Sequence, residues 1–237
     1  MMTYRDVILT QLQNDQILVT GCDSCGGIGL KRDDTLEAPP EVVGAITARV
    51  ALLEVLSLGA SVVSVAVPIA NEPDATGRRL LKGVKSCLDE FGLRVPVLTS
   101  MEKNMPTSMT ALGVVVNGLA KTIKRSPFHR GDAVYVIGRP SVGPEVIDHS
   151  DKLLKASTIK RLLEMNAVRE ILPVGSKGVM GELNDMFVSR DESYQLIEGV
   201  ELDMEKSCGP SSVAIVVVKK DLLLDFDIPT VLIGHVV

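Results

Sequence analysis

The sequence has no tryptophan, and aromatic residues fill only 3% of its 237 positions. Few side chains are therefore available for stacking on nucleobases, and the core must rest on Val, Leu, Ile, Met and Ala. Positive charge is not in excess. Lys and Arg number 25 against 30 Asp and Glu, giving a formal charge of −5, which does not favour a nucleic-acid backbone as partner. The one basic run, Lys121 to Arg130 (KTIKRSPFHR), lies between apolar stretches and reads as a solvated connector. No segment approaches the roughly 18 apolar residues of a membrane span. The stretch MMTYRDVILTQLQND shows no signal-peptide pattern. Four cysteines, at positions 22, 25, 87 and 208, are too few for a disulfide framework. The expectation is a cytoplasmic protein with neither a nucleic acid nor a membrane as partner.

What is present is a chain long enough to bury roughly 70–75% of its unfolded surface, as one large domain or two small ones. The run QILVTG (16–21) has the marks of a strand feeding a loop. Residues 41–58 carry small and aliphatic side chains at helical spacing, apolar nearly all round, with Gly44 inside and Gly59 closing the helix. A buried strand follows at 60–68, an amphipathic helix at 74–92 closed by Gly92, and strands at 94–100 and 110–120, the last with a kink expected near Gly113. A second half begins near Ser126-Pro127. It has strands at 133–137, in REILP, at 211–220 and at 230–237, and helices at 152–165 and 178–187. Alternation in both halves predicts an α/β or α+β chain of two domains, 1–124 and 125–237.

Four stretches carry candidate chemistry. In TGCDSCGGIG (20–29), Cys22 and Cys25 form a C-x-x-C pair around Asp23. A thioredoxin-type pair sits on a loop leading into a helix, whereas Gly26-Gly27 follows here. A structural zinc site needs two further ligands at paired spacing. Bystander thiols are the remaining reading. Asp23 offers a carboxylate beside two glycines whose bare N–H groups suit an anion, although a strand-end Asp is also a common turn residue. Glu54 lies inside the apolar helix, as a buried acid or on a partly exposed flank. Glu102 follows a strand in SMEKNMPTSMT, with Lys103 and Asn104 beside it, as a site loop or as plain loop polarity. Three acids at the ends of neighbouring elements would make a Mg²⁺ cluster for a nucleotide. In PVGSKG (173–178), Gly175, Ser176 and Lys177 precede a helix whose N-terminus suits phosphate, without the spacing of a Walker loop. KSCGPSS (206–212), opening on Lys206, is another turn before a strand, and either turn could be structural alone.

The order of these motifs resembles the ATP-binding superfamily of aminoimidazole ribonucleotide synthase (PurM-like). It comprises an acid–glycine segment, an apolar helix ending LGA, a strand-end Glu with Met-Pro, then TALGVVVNG and GDAVYVIGRP. That superfamily includes thiamine-phosphate kinase and selenophosphate synthetase. Within it, MEKNMPTSMTALGV, GRPSVGPEV, EILPVGSKG and KSCGPSS look most like the α-ribazole kinases of cobamide salvage. The resemblance implies an N-terminal α+β domain pairing across a homodimer into a shared β-barrel, a C-terminal α/β domain, and ATP in the cleft between domains and subunits. It implies Mg²⁺ on Asp23, Glu54 and Glu102, with Lys177 and Lys206 steadying a phosphoryl group passing from ATP to a nucleoside-like small molecule. Ser100-Met101 and Lys103 depart from the family's Gly-Gly-Asp/Glu-Thr motif, and Arg49 stands near a common Asn. Two other readings stand beside the kinase: ATP-driven activation of an amide or formyl oxygen, and a nucleotide-binding dimer without catalysis.

Overall fold

The computed structural model describes residues 2–237, and the chain divides into two compact units, Met1–Ile123 and Lys124–Val237. Unit 1 begins with the strands β1 (Met2–Tyr4), β2 (Val7–Gln11) and β3 (Ile17–Gly26). The short pair β4 (Ile28–Gly29) and β5 (Leu36–Glu37) follows, then helix α1 (Pro40–Ser57), β6 (Ser61–Ile69), α2 (Gly77–Glu90), β7 (Val97–Met101) and β8 (Ala111–Ala120). The main sheet is open, in the order β1-β2-β3-β8-β6-β7, antiparallel except for the β6–β7 pair.

The first strand runs farther than its apolar run suggests. Gly21 does not end it. β3 pairs with β8 in unbroken register from Ile17↔Ala120 to Gly26↔Ala111, so Asp23 lies within a strand, opposite Val114. No register break occurs at Gly113; the irregularity falls in β6, between Val62 and Ser64. Burial alternates strictly along β8, as expected of a sheet with one face packed and one open. Helices α1 and α2 cover the packed face. On the open face Thr20 Oγ1 donates to Asn117 Oδ1 at 2.8 Å and Asn117 Nδ2 donates to Ser64 Oγ at 3.3 Å, a polar row across three strands.

Helix α1 is buried on most of its circumference because it lies between the sheet and α2. Two glycines set how closely the helices approach. A Cβ on Gly44 would lie 2.1 Å from Leu80 O, and one on Gly83 would lie 2.0 Å from Glu41 O. The contacts are with backbone, so neither side chain can swing away. Gly44→Ala gains about 1 kcal/mol of helix propensity, but overpacking a crossing that cannot relax locally costs up to about 3 kcal/mol. The expected result is a net loss of about 1–2 kcal/mol, read from the urea midpoint. An unchanged or higher midpoint would contradict the close crossing.

Unit 2 contains β9 (Ala133–Gly138), α3 (Glu145–Asp148), a 3₁₀ turn (Ser150–Lys152), α4 (Ala156–Glu164), β10 (Val168–Pro173), α5 (Gly178–Val188), β11 (Tyr194–Leu196), β12 (Val213–Val218) and β13 (Thr230–Val236). The helix expected over 152–165 is thus split and begins later. The sheet is antiparallel and open, in the order β10-β12-β9-β13-β11. Every residue of β9 and β12 is buried, so both faces of the central strands are covered. One face packs on Val179, Leu183, Met186 and Phe187 of α5. The basic run is not a solvated connector. Lys124 Nζ donates to Leu163 O and Met165 O at the end of α4, Arg125 bridges to Glu170, and Phe128 is core. Neither sheet closes on itself, and no helix of the described residues is long and apolar enough to cross a membrane.

Candidate functional site

Side chains alternate along a strand. In β3 this puts Cys22, Ser24 and Gly26 on the exposed side and Gly21, Asp23 and Cys25 on the side facing α1. The C-x-x-C thiols therefore point to opposite faces of the sheet. They cannot act as a dithiol or as paired ligands of one metal without breaking the strand, and all four cysteines are free. Burial pushes the Cys25 thiol up, with the Asp23 charge adding to the rise.

Asp23 is half-buried on the helix side, and its pKa is raised from 3.8 to about 6, by burial first, with the charge of Asp6 adding to it and a hydrogen bond from the Ser24 backbone opposing it. Its folded value lies above its unfolded one. Between pH 3.8 and about 6 the folded state holds the extra proton, stability falls as pH rises through that window, and the cost is fully present above it. Glu54 is 5% exposed, so it is no exposed flank of α1. It packs beside Gly21, where an added Cβ would meet Glu54 Cβ at 3.4 Å. Asp23 and Glu54 thus belong to the same sheet–helix interface.

Glu102 stands elsewhere, just past β7. Its N–H reaches Ile69 O and Asn71 O at 3.2 and 3.1 Å, and its Oε1 accepts from the N–H groups of Asn104 and Met105 at 2.6 and 3.1 Å. These backbone donors hold its pKa below the usual carboxylate range. Lys103 and Asn104 continue the exposed turn that Glu102 closes. A pocket of about 500 Å³ opens at this end of the sheet, lined by Ser24, Gly26, Pro68, Ser100, Glu102 and Gly113 among others. Gly27 lies next to it, its N–H on Thr110 O at 2.9 Å. The sequence motifs thus bring Gly26 and Glu102 to one pocket, while Asp23 and Glu54 are not among its lining residues.

Among the described residues no group of three or more His, Cys, Asp or Glu is placed to hold a metal ion. The three acids therefore do not form a ready cage within one chain. Mg²⁺ is commonly held by one or two carboxylates together with substrate phosphates and waters. Glu102 is the one carboxylate among the pocket's lining residues.

In unit 2 the two glycine-bearing turns come together. Strand β12 lies between β10 and β9, so the turns after β10 and before β12 share one end of the sheet. Cys208 N–H donates to Gly175 O at 3.0 Å. Gly178, at φ +71°, lets the chain pass the carbonyls of Glu205 and Lys206, each 2.8 Å from where a Cβ would stand. Lys177 pairs with Asp185 at 2.5 Å, and Lys206 with Glu145 at 2.6 Å. Ser176 sits on the turn between Gly175 and Lys177. The N-terminus of α5 is partly occupied, because Met180 N–H donates to Met204 O at 2.8 Å. It is therefore less open to phosphate than the sequence suggests.

Sequence reasoning missed a polar network at the pocket's rim. Glu72 Oε1 accepts from Thr107 N–H at 2.8 Å, and its Oε2 from Thr107 Oγ1 at 2.7 Å and Lys31 Nζ at 2.9 Å. Lys31, then Thr107, draws the Glu72 pKa well below the usual carboxylate range. Asp34 accepts from Thr110 N–H, Thr110 Oγ1 and Lys31 N–H, each at 2.7 Å, and these bonds outweigh its burial and lower its pKa. Apart from the local Lys31–Asp34 bond, the partners lie 35 to 76 residues apart and leave no spacing to find. The polar pair Asn71-Glu72, one residue past an apolar strand, was the one available signal.

No family profile matches the chain, and no curated protein matches it in sequence. Solved structures do match in fold. Thiamine monophosphate kinase from Aquifex aeolicus superposes with a TM-score of 0.70 at 13% identity, over 98% of this chain and 89% of its own. AaThiL complexed with AMPPCP and TMP gives 0.68 at 13%, over 98% and 84%. Phosphoribosylformylglycinamidine synthase II from Thermotoga maritima gives 0.61 at 14%, and here the chain spans 37% of that protein's length. At such identities the likeness establishes a shared mixed α/β fold.

Proposed function

We propose that this chain is an ATP-dependent phosphotransferase that carries the γ-phosphoryl group of MgATP to a hydroxyl of a nucleoside-like small molecule, α-ribazole in the finer reading. The observation that carries it is the end-to-end likeness to a thiamine monophosphate kinase, a fold in which AMPPCP has been captured. The resemblance of MEKNMPTSMTALGV and EILPVGSKG to the α-ribazole kinases is what favours α-ribazole as acceptor in this proposal.

Phosphoryl transfer needs mainly positioning and charge neutralisation. Glu102, at the unit 1 pocket, is the first candidate to hold Mg²⁺ against the β- and γ-phosphates. Asp23 and Glu54 are carried as further metal groups, Asp23 because its neighbours Ser24 and Cys25 line that pocket. Bound Mg²⁺ would supply neutralisation of the phosphate charge. Gly26 and Gly27 let the backbone approach the phosphates, with Lys103 and Asn104 at the rim. In unit 2, Lys177 and Lys206, with Gly175 and Ser176 just before Lys177, are proposed to steady the transferring group. What supports this is the convergence of their two turns. A homodimer joined through the open face of the unit 1 sheet belongs to the same proposal, supported by the one-sided covering of that sheet.

The test is ADP release from MgATP with α-ribazole, thiamine monophosphate and an amide-bearing ribonucleotide offered in parallel. Release with α-ribazole alone is the expected result. Release with thiamine monophosphate instead moves the acceptor, and release with the amide alone moves the reaction to oxygen activation. ATP binding without release on any acceptor points to the non-catalytic dimer.

A further inference from the structure

Two segments adjoin residues that line the unit 1 pocket: 27–35, which continues from Gly26, and 102–110, which runs from Glu102 to the residue before Ala111. They are far apart in sequence and neither is a helix or a long strand. Left alone, such loops sample many conformations, and fixing each residue's backbone costs about 1–2 kcal/mol. Here they are fastened to one another through Asn71 and Glu72, the second and third residues after β6. Asn71 is fully buried. Its Nδ2 donates to Thr107 Oγ1 at 2.9 Å and Met109 O at 2.8 Å, its Oδ1 accepts from Ala111 N–H at 2.9 Å, and its carbonyl accepts from Glu102 N–H. Glu72 binds both the backbone and the hydroxyl of Thr107 and pairs with Lys31, whose side chain is 14% exposed. Lys31 Nζ also donates to Thr107 O at 2.9 Å. Thr107 is thus held from three sides, by Asn71, Glu72 and Lys31.

We propose that Asn71 and Glu72 are positioning residues of the nucleotide site, fixing the Glu102 loop against the 27–35 segment so that the Glu102 carboxylate and the glycine backbone face one ligand at a set separation. The inference rests on the nucleotide reading given above. None of these side chains lines the pocket, so their effect passes through Glu102 rather than through contact with the ligand. A carboxylate that ligates through a mobile loop loses affinity to the cost of ordering it, and supporting groups around a metal ligand commonly matter about as much as tenfold or more.

The experiment is calorimetric titration of the full chain with MgAMPPCP, with thermal unfolding recorded for every variant. Glu72→Gln keeps the shape but puts an amide where three donors now meet a carboxylate, and it should raise Kd about tenfold. Thr107→Val, which keeps the backbone bond to Glu72 and loses the hydroxyl, should act in the same direction and serves if Glu72→Gln fails to fold. In a Glu102→Gln background, Glu72→Gln should add no further loss, because both act on one carboxylate. Wild-type affinity in both folded variants, or a full additive loss in the double variant, overturns the proposal. If the wild-type chain binds no MgAMPPCP, the nucleotide reading itself falls and takes this inference with it.

Discussion

On the proposed kinase reading, Glu102→Gln lowers ATP-dependent turnover by about 10²–10³-fold, the range seen when one fixed electrostatic stabiliser is removed. The choice of Gln matters. The amide oxygen can still accept from Asn104 and Met105, so the turn persists, while the charge that would face the metal is gone. Glu102→Ala loses both, and a much larger effect in Ala than in Gln would assign Glu102 to loop structure. Near-normal turnover of the Gln variant at saturating MgATP would remove Glu102 from the metal site. The same assay carries a pH signature. Asp23 is neutral below about 6 and ionised above, so if it serves the metal, turnover falls as pH drops through that value. In Asp23→Asn that limb disappears and the residual rate is flat across it. Glu102, with its pKa lowered, stays ionised throughout and contributes no such limb.

Arg190→Ala destabilises unit 2 by up to about 3–5 kcal/mol, because it removes a cation paired with the buried Glu170 carboxylate. Glu170 is 0% and Arg190 9% exposed at the side chain, and they form a direct ion pair. Arg190 also donates to Ser126 O at 3.2 Å and lies over the Phe128 ring, 4.0 Å from its centroid. The guanidinium therefore joins the strand β10, the segment entering unit 2, and the aromatic core. Hydrogen exchange of the β10 amides reads the loss within unit 2, where a whole-chain melt would average over both units. By contrast the exposed Arg32–Asp33 pair is solvated on both sides, and Arg32→Ala should leave the exchange rates unchanged. A small effect of Arg190→Ala would mean that water reaches Glu170 readily.

The elements were largely legible because their signals are local. Gly59 and Gly92, both at positive φ, close helices that apolar spacing had already marked. The β1–β2 hairpin was missed because its ten residues mix polar and apolar types with no turn dipeptide. The end of β3 was misplaced for a more instructive reason. Gly21 reads as a strand terminus, but it is there because α1 packs on it, with Val55 Cγ2 3.1 Å from where its Cβ would be. Glycine marks close approach as often as a turn, and only the tertiary contact tells the two apart. Gly44 hid a helix crossing in the same way. The candidate site was half legible. Gly26 and Glu102 reach one pocket, whereas Asp23 and Glu54 lie at the helix interface, and Asn71, Glu72 and Lys31 carried no pattern because their bonds span the fold.

The opposite facings of Cys22 and Cys25 have a practical side. Cys22 is the one exposed thiol of the four, and burial pushes Cys87 and Cys208 up to about 12 and about 11, where thiolate chemistry is slow. Cys22 is thus the most accessible attachment point for a thiol-reactive dye, seated on the uncovered side of the unit 1 sheet beside Val115, with Cys25 half-buried and lining the pocket. With Cys25 replaced by Ser, a fluorophore on Cys22 would sense what settles on that surface.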